Sequence, residues 1–200
     1  MIKKICIFLG SRANYSSIKS VMAEIKKKKN LKLQIILGAS AILTKYGELE
    51  KLIKKDGFRV DKKIFSLIEG ENPITMSKST GLGLIGISEA FDELKPDLVF
   101  TIGDRFETMA TTLAASYMNI PLAHTMGGEI TGTIDESIRH AVTKFAHLHF
   151  PASKGAANRI YKLGENKKSI FNFGCPRIDL VKQELKKNRL KSINKRIFKE

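Results

Sequence analysis

The amino-acid sequence predicts an α/β fold, a parallel sheet with helices on both faces. Three observations predict it. Short apolar runs alternate with segments of helical spacing along the 200 residues. Two of the runs, residues 97–102 and 121–124, read as buried strands that end in polar tips. Acids and arginines collect just beyond those tips, where open α/β sheets bind ligands.

The elements follow in order. Ile2–Leu9 reads as the first strand. Its apolar run is too short for a signal peptide and meets Gly10-Ser-Arg12 at once, which suits a cytoplasmic fold. Tyr15–Lys28 places Ile18, Val21, Met22 and Ile25 at helical spacing, with Ser16 or Asn14 as the expected N-cap. Leu31–Leu37 is a second strand, and Ala41–Lys55 a partial helix broken at Gly47. Phe58–Phe65 reads as a weak strand and Glu69–Pro73 as a loop. Ile74–Leu94 is a helix despite Gly81, Gly83 and Gly86, which cost helix stability but permit close packing. A helix over Phe106–Tyr117 follows the strand at 97–102, and another over Asp135–Phe145 follows the strand at 121–124. His147–Phe150 is a strand, Ala152–Leu163 a helix, Ser169–Phe173 a strand, and a basic helix begins near Arg177. Residues 1–180 form the expected domain and 181–200 a charged connector or helix.

Hydrophobic content of 42% supports a full core. No stretch approaches the ~20 apolar residues of a membrane span. Cys6 and Cys175 lie far apart without metal-ligand spacing, and read as free, mostly buried thiols in a reducing compartment. The net charge of +15 is spread over lysine-rich helix faces. With no aromatic interleaving and no zinc or helix-turn-helix pattern, a nucleic-acid partner is not expected. An anionic small substrate remains.

The turn Gly10-Ser-Arg-Ala-Asn-Tyr-Ser16 is not a dinucleotide fingerprint, but it places a glycine, Arg12 and hydroxyls at a helix N-terminus. Anions are favoured there, and Arg12 can grip a phosphate in a bidentate manner. Asp104 and Arg105 follow Gly103 at a strand end, either as a structural ion pair or as site residues. Gly127-Gly128 before Glu129 would let backbone approach a ligand. Asp135 stands at a helix start, where a carboxylate is favoured as a cap. His140 lies one turn after Glu136 and suits an i,i+4 pair. His147 and His149 read as packing residues, since no zinc spacing is present.

Taken together, Gly10-Ser-Arg-Ala-x-Tyr, Gly103-Asp-Arg, His124-x-x-Gly-Gly-Glu, Asp135-Glu-x-Ile-Arg-His-Ala-x-Thr-Lys144 and Gly174-Cys-Pro176 resemble the hydrolysing UDP-N-acetylglucosamine 2-epimerases of sialic-acid and legionaminic-acid type pathways. The resemblance runs from Ile2 to about Asp179. It implies the Rossmann-like N-terminal half of a glycosyltransferase-B type fold, with a second domain outside this chain. The implied reaction eliminates UDP from UDP-GlcNAc and adds water to give ManNAc, with neither metal nor redox cofactor.

The same resemblance makes Asp104 and Asp135 the acid/base candidates, because paired carboxylates with separated pKa values suit the chemistry. Arg12, Ser16 and Arg105 would contact UDP, with Gly127, Gly128 and His140 lining the substrate. Self-association is also implied. One departure stands out. The family pattern His-Ile-Glu-Gly-Gly-Glu carries a catalytic glutamate where this chain has Met126. Glu129 matches the second glutamate and is the residue that could substitute. A methionine transfers no proton, so Met126 is expected to lower or abolish turnover. A non-catalytic UDP-sugar-binding remnant is the alternative.

Overall fold

The structure, a computed structural model, describes residues 1–70 and 72–186. Six parallel strands form one sheet in the order β3-β2-β1-β4-β5-β6. They are β1 (Lys3–Leu9), β2 (Leu31–Gly38), β3 (Lys62–Ile64), β4 (Leu98–Ile102), β5 (Leu122–Thr125) and β6 (Leu148–Phe150). The helices are α1 (Arg12–Lys27), α2 (Leu49–Lys55), α3 (Pro73–Leu94), α4 (Phe106–Tyr117), α5 (Ile134–Phe145), α6 (Lys154–Lys162) and α7 (Pro176–Lys186). The order reverses between β1 and β4, which is the switch point where doubly wound sheets bind ligands.

Alternate residues of each strand feed two cores. Ile5, Ile7 and Leu9 of β1 pack with Ile18 and Met22 of α1 and Ile53 of α2 on one face. Cys6 and Phe8 pack with Ile87 and Phe91 of α3 and Ala110 and Ala114 of α4 on the other. This two-sided burial explains why the strands read as continuous apolar runs. Burial pushes the Cys6 thiol far up, so it stays protonated and inert, while Cys175 is half-buried and also free.

Two of the three α3 glycines serve packing. A Cβ at Gly83 would meet Ala110 of α4 at 3.3 Å, and one at Gly86 would strike Ile64 of β3 at 2.7 Å. Gly81 faces open space. Gly47 breaks the β2–α2 connection at φ +87°, as expected, just after two short 3₁₀ turns at Ala39–Ile42 and Thr44–Tyr46.

Three expectations change. The α1 N-cap is Ser11, whose Oγ accepts from the Asn14 N–H at 3.1 Å; Ser16 and Asn14 lie inside the helix. Asn14 instead uses Oδ1 to accept the Gly10 N–H, so the turn closes one residue earlier. The strand expected over Phe58–Phe65 shrinks to Lys62–Ile64, where pairing with the end of β2 begins. Ser169–Phe173 is not a strand. A 3₁₀ turn at Lys167–Ser169, capped by the Asn166 side chain, leaves one isolated bridge between His149 and Ile170. Its aromatic residues stack instead: Phe100, Phe150, Phe171 and Phe173 form a ladder with ring centroids 5.4, 5.5 and 6.0 Å apart.

Helix α7 runs through residue 180 without a break and docks on α1. Arg177 donates to the Ser17 hydroxyl at 2.7 Å and to the Ala13 carbonyl at 3.2 Å. The rest of the expected connector, residues 187–200, lies outside the described residues. No helix among the described residues is long and apolar enough to cross a membrane.

Candidate active site

The turns after β1 and β4 sit side by side at the switch point. Asn14 joins them: it accepts the Gly10 N–H at 3.1 Å and donates to the Ile102 carbonyl at 3.4 Å. Positive φ at Gly103, +78°, turns the chain out of β4 and sets Asp104 at the sheet edge.

Asp104 does not pair with its neighbour Arg105. Its partner is Arg139 of α5, which is 3% exposed. Arg139 also donates to the Glu129 carbonyl at 2.6 Å, so one guanidinium ties together the ends of β4, the Gly-Gly loop and α5. Behind it His124 is fully buried. The Gly103 carbonyl, 2.8 Å from Nε2, can only accept, so Nε2 carries the proton and Nδ1 faces the Thr143 hydroxyl at 3.3 Å. Thr143 in turn reaches the Arg139 carbonyl at 3.0 Å. Burial drives the His124 pKa down to about 4, which keeps the ring neutral.

Asp135 lies in the first turn of α5, half-buried, with Thr133 as the cap residue. The loop before α5 is tied by Glu136 instead, which accepts the Thr131 and Gly132 N–H groups at 2.7 Å each. Those bonds lower the Glu136 pKa and commit its carboxylate to structure. His140 forms the expected i,i+4 contact, with Nε2 3.7 Å from Glu136. Among the described residues the Glu129 carboxylate has one long contact, accepting from the Ser153 hydroxyl at 3.4 Å.

Gly127 and Gly128 have a packing role that their spacing does not show. A Cβ on Gly127 would come within 3.0 Å of His124 and Thr143, and one on Gly128 would overlap the Ala156 carbonyl oxygen. The pair lets the loop pack on α5 and α6, and Arg159 of α6 caps the Gly128 carbonyl at 3.0 Å. His147 accepts the Leu122 N–H at 3.2 Å, a packing role. His149 is buried with Nε2 3.4 Å from Glu165, although the orientation makes no hydrogen bond. Burial lowers its pKa, so the neutral ring suits that loose contact.

Beside this cluster opens a cavity of about 890 Å³. Arg12, Arg105 and Glu107 line it together with Lys45, Tyr46 and Met76. Arg12 has no hydrogen-bond or ion-pair partner among the described residues and rests against Gly47. Asp104, Asp135 and Glu129 are not among the lining residues. Ser16 is not brought to this place. Its hydroxyl donates to the Ala13 carbonyl at 3.0 Å, and it borders a separate depression with Lys19 and Asp56.

His124 and Arg139 stand in the motifs that carry the resemblance, without a role assigned to either, and Glu107 is not singled out by the sequence. Arg139 follows Asp135 at i+4, a spacing that suggests a pair within the helix rather than a reach to Asp104. Glu107 opens a helix, where an acid has an ordinary dipole explanation.

A doubly wound parallel sheet with an acid–arginine cluster at its switch point defines a ligand-binding α/β enzyme domain. Residues 23–200 match the family model described as UDP-N-acetylglucosamine 2-epimerase, and the chain belongs to that family. It is 38% identical over 181 residues to the hydrolysing GDP/UDP-N,N'-diacetylbacillosamine 2-epimerase of Campylobacter jejuni, covering 90% of this chain and 47% of the relative. Against the hydrolysing UDP-N,N'-diacetylbacillosamine 2-epimerase of Legionella pneumophila it is 34% identical, over 92% of this chain and 48% of the relative. The fold superposes on the UDP-GlcNAc 2-epimerase of Neisseria meningitidis solved with UDP-GlcNAc, with a TM-score of 0.80 at 20% identity, over 98% of this chain and 52% of that one. The chain thus spans about half the length of the relatives it matches, as one Rossmann-like half of a glycosyltransferase-B type fold would.

Proposed function

We propose that this chain is the acid-bearing N-terminal half of a hydrolysing UDP-sugar 2-epimerase. The observation that carries the reading is the placement of Asp104 at the carboxyl end of β4, held by Arg139, beside the Arg12 and Arg105 wall of the cavity. The substrate is UDP-GlcNAc, with UDP-N,N'-diacetylbacillosamine as the close relative suggested by the names of the two similar enzymes. One of Asp104 and Asp135 removes the C2 proton. The C1–O bond breaks, and its electron pair leaves on UDP. Water adds at C1 and a proton returns to C2 from the other face, giving the 2-epimeric sugar. Arg12 and Arg105 steady the departing diphosphate. No oxidation state changes overall, so the reaction calls for no redox cofactor. A second half completes the nucleotide grip, the enzyme self-associates, and it works in the cytoplasm, feeding a sialic-acid or legionaminic-acid type pathway.

A second reading, a non-catalytic UDP-sugar-binding remnant, is favoured by Met126. Its φ is +62°, its N–H is bound to the Phe150 carbonyl at 3.0 Å, and its side chain packs on the core. Proton NMR with UDP-GlcNAc in D2O separates the readings. Free UDP with deuterium at C2 supports the epimerase. Binding without release supports the remnant, and Met126→Glu then tests the cause in a protein that carries both halves: a gain in rate blames Met126, no gain clears it. Neither binding nor release removes both readings.

A further inference from the structure

The carboxyl missing at position 126 has a structural candidate elsewhere. Glu107, in the first turn of α4, is 5% exposed and borders the cavity. Its Oε1 lies 3.6 Å from Arg105 Nε, while its buried Oε2 has no hydrogen-bond partner. A buried polar atom without a partner is costly unless something else meets it, and the residue that carries this one is among those that line the cavity. The fold makes room for the group at Gly10. A Cβ there would stand 2.6 Å from Glu107 Cγ and 2.8 Å from Oε1, so the glycine of the first turn seats this side chain against the switch point. Asp104 and Asp135 both act on Glu107 electrostatically, which places it within the field of the two acid candidates. Burial raises its pKa against the pull of Arg105 and of its own backbone N–H, and the two aspartates add to the rise, the direction that favours the acid form.

We propose that Glu107 is a third acid/base residue of this site and supplies the proton transfer that Met126 cannot. The proposal rests on the epimerase reading above. After UDP has left, water bonds to C1 of the glycal, and C2 takes the proton of the Glu107 carboxyl. The proton released by the adding water returns to the Glu107 carboxylate, which restores the acid. Asp104 or Asp135 keeps the first proton until it passes to solvent.

The test is the D2O experiment on four proteins, each carrying both halves: wild type, Glu107→Gln, Met126→Glu and the double variant. Gln keeps the volume of the neutral acid, and a melting curve within a few degrees of wild type shows that the fold survives. Glu107→Asp, which keeps the carboxyl but withdraws it from the cavity, replaces Gln if Gln fails to fold. The expected result is that Glu107→Gln still binds UDP-GlcNAc but forms epimeric product at least about 100-fold more slowly. Released UDP should then outrun product as the glycal accumulates, and Met126→Glu should restore turnover in the double variant. A structural role for Glu107 would not give that rescue. Equal rates for wild type and Glu107→Gln overturn the proposal and leave the epimerase reading intact. Turnover that appears only with Met126→Glu also overturns it, as does binding by all four proteins with turnover by none. Absence of binding by the wild-type protein removes the epimerase reading, and the proposal with it.

Discussion

The two sides of the switch point handle charge in opposite ways. Around Arg139 nearly every polar group is met from within the protein: Asp104, the Glu129 carbonyl, Thr143 and His124 form one connected network. Along the cavity, Arg12 stands without a partner among the described residues, Arg105 is more than half exposed with Glu107 Oε1 3.6 Å from its Nε, and Glu107 Oε2 is unmet there. A satisfied network rigidifies and positions, and its parts are expensive to remove. A wall of unmet charges contributes little to folding and is free to meet a ligand. Stability and ligand affinity should therefore separate cleanly between the two sides.

The largest effect is expected at Arg139. Arg139→Met strands the Asp104 carboxylate and the Glu129 carbonyl, and should cost about 3–5 kcal/mol in urea denaturation. A loss below 1 kcal/mol would mean that the network does not brace the site.

The pH dependence follows from His124. Its folded pKa of about 4 lies below the ordinary 6.5, so the unfolded chain takes the proton first as pH falls. The stabilisation is complete above about pH 6.5 and is lost down to about pH 4, up to roughly 3 kcal/mol. His124→Gln should flatten the denaturation midpoint across that window. Glu107 acts with the opposite sign. Its raised pKa favours the fold in acid and weakens it as pH rises past the ordinary glutamate value, so Glu107→Gln should gain stability at neutral pH relative to its own effect in acid.

Gly128→Ala is next. The methyl would overlap the Ala156 carbonyl at a backbone φ of +78°, and roughly 2 kcal/mol should be lost by thermal melting. The smallest effect on stability belongs to the open wall. Arg12→Ala should change the folding free energy by less than about 0.5 kcal/mol. It should still weaken UDP-sugar binding about tenfold, read by titration calorimetry, as expected of one charge-assisted hydrogen bond. If Arg12→Ala destabilises the fold as much as Arg139→Met, the division between the two sides is wrong.

Much of the fold was legible because its signals are local. Helical spacing at Ile18, Met22 and Ile25, the break at Gly47 and the apolar runs of β1, β2, β4 and β5 each follow from neighbours in the chain. Asp104, Arg105 and Arg12 were placed at a sheet edge for the same reason: each comes directly after a strand. Errors came where a local pattern competed with tertiary packing. Phe171 and Phe173 have strand propensity, but they continue a ring stack begun in β4 and β6 and leave the sheet. The spacing around Gly127 and Gly128 does not show that the pair also makes room for α5 and α6.

The sequence by itself determined the alternation of elements, the two-sided burial of the strands and the residues that stand at their carboxyl ends, because backbone periodicity records which faces must be apolar. Only the tertiary structure decided who meets whom there. It joined Arg139 to Asp104 across 35 positions, turned His124 onto Gly103 across 21 and Arg177 onto Ser17 across 160. It also left Glu107 Oε2 buried without a partner among the described residues, on a side chain that borders the cavity. Such pairings depend on strand order and helix docking, and nothing in the spacing along the chain encodes which distant group will arrive within hydrogen-bonding reach.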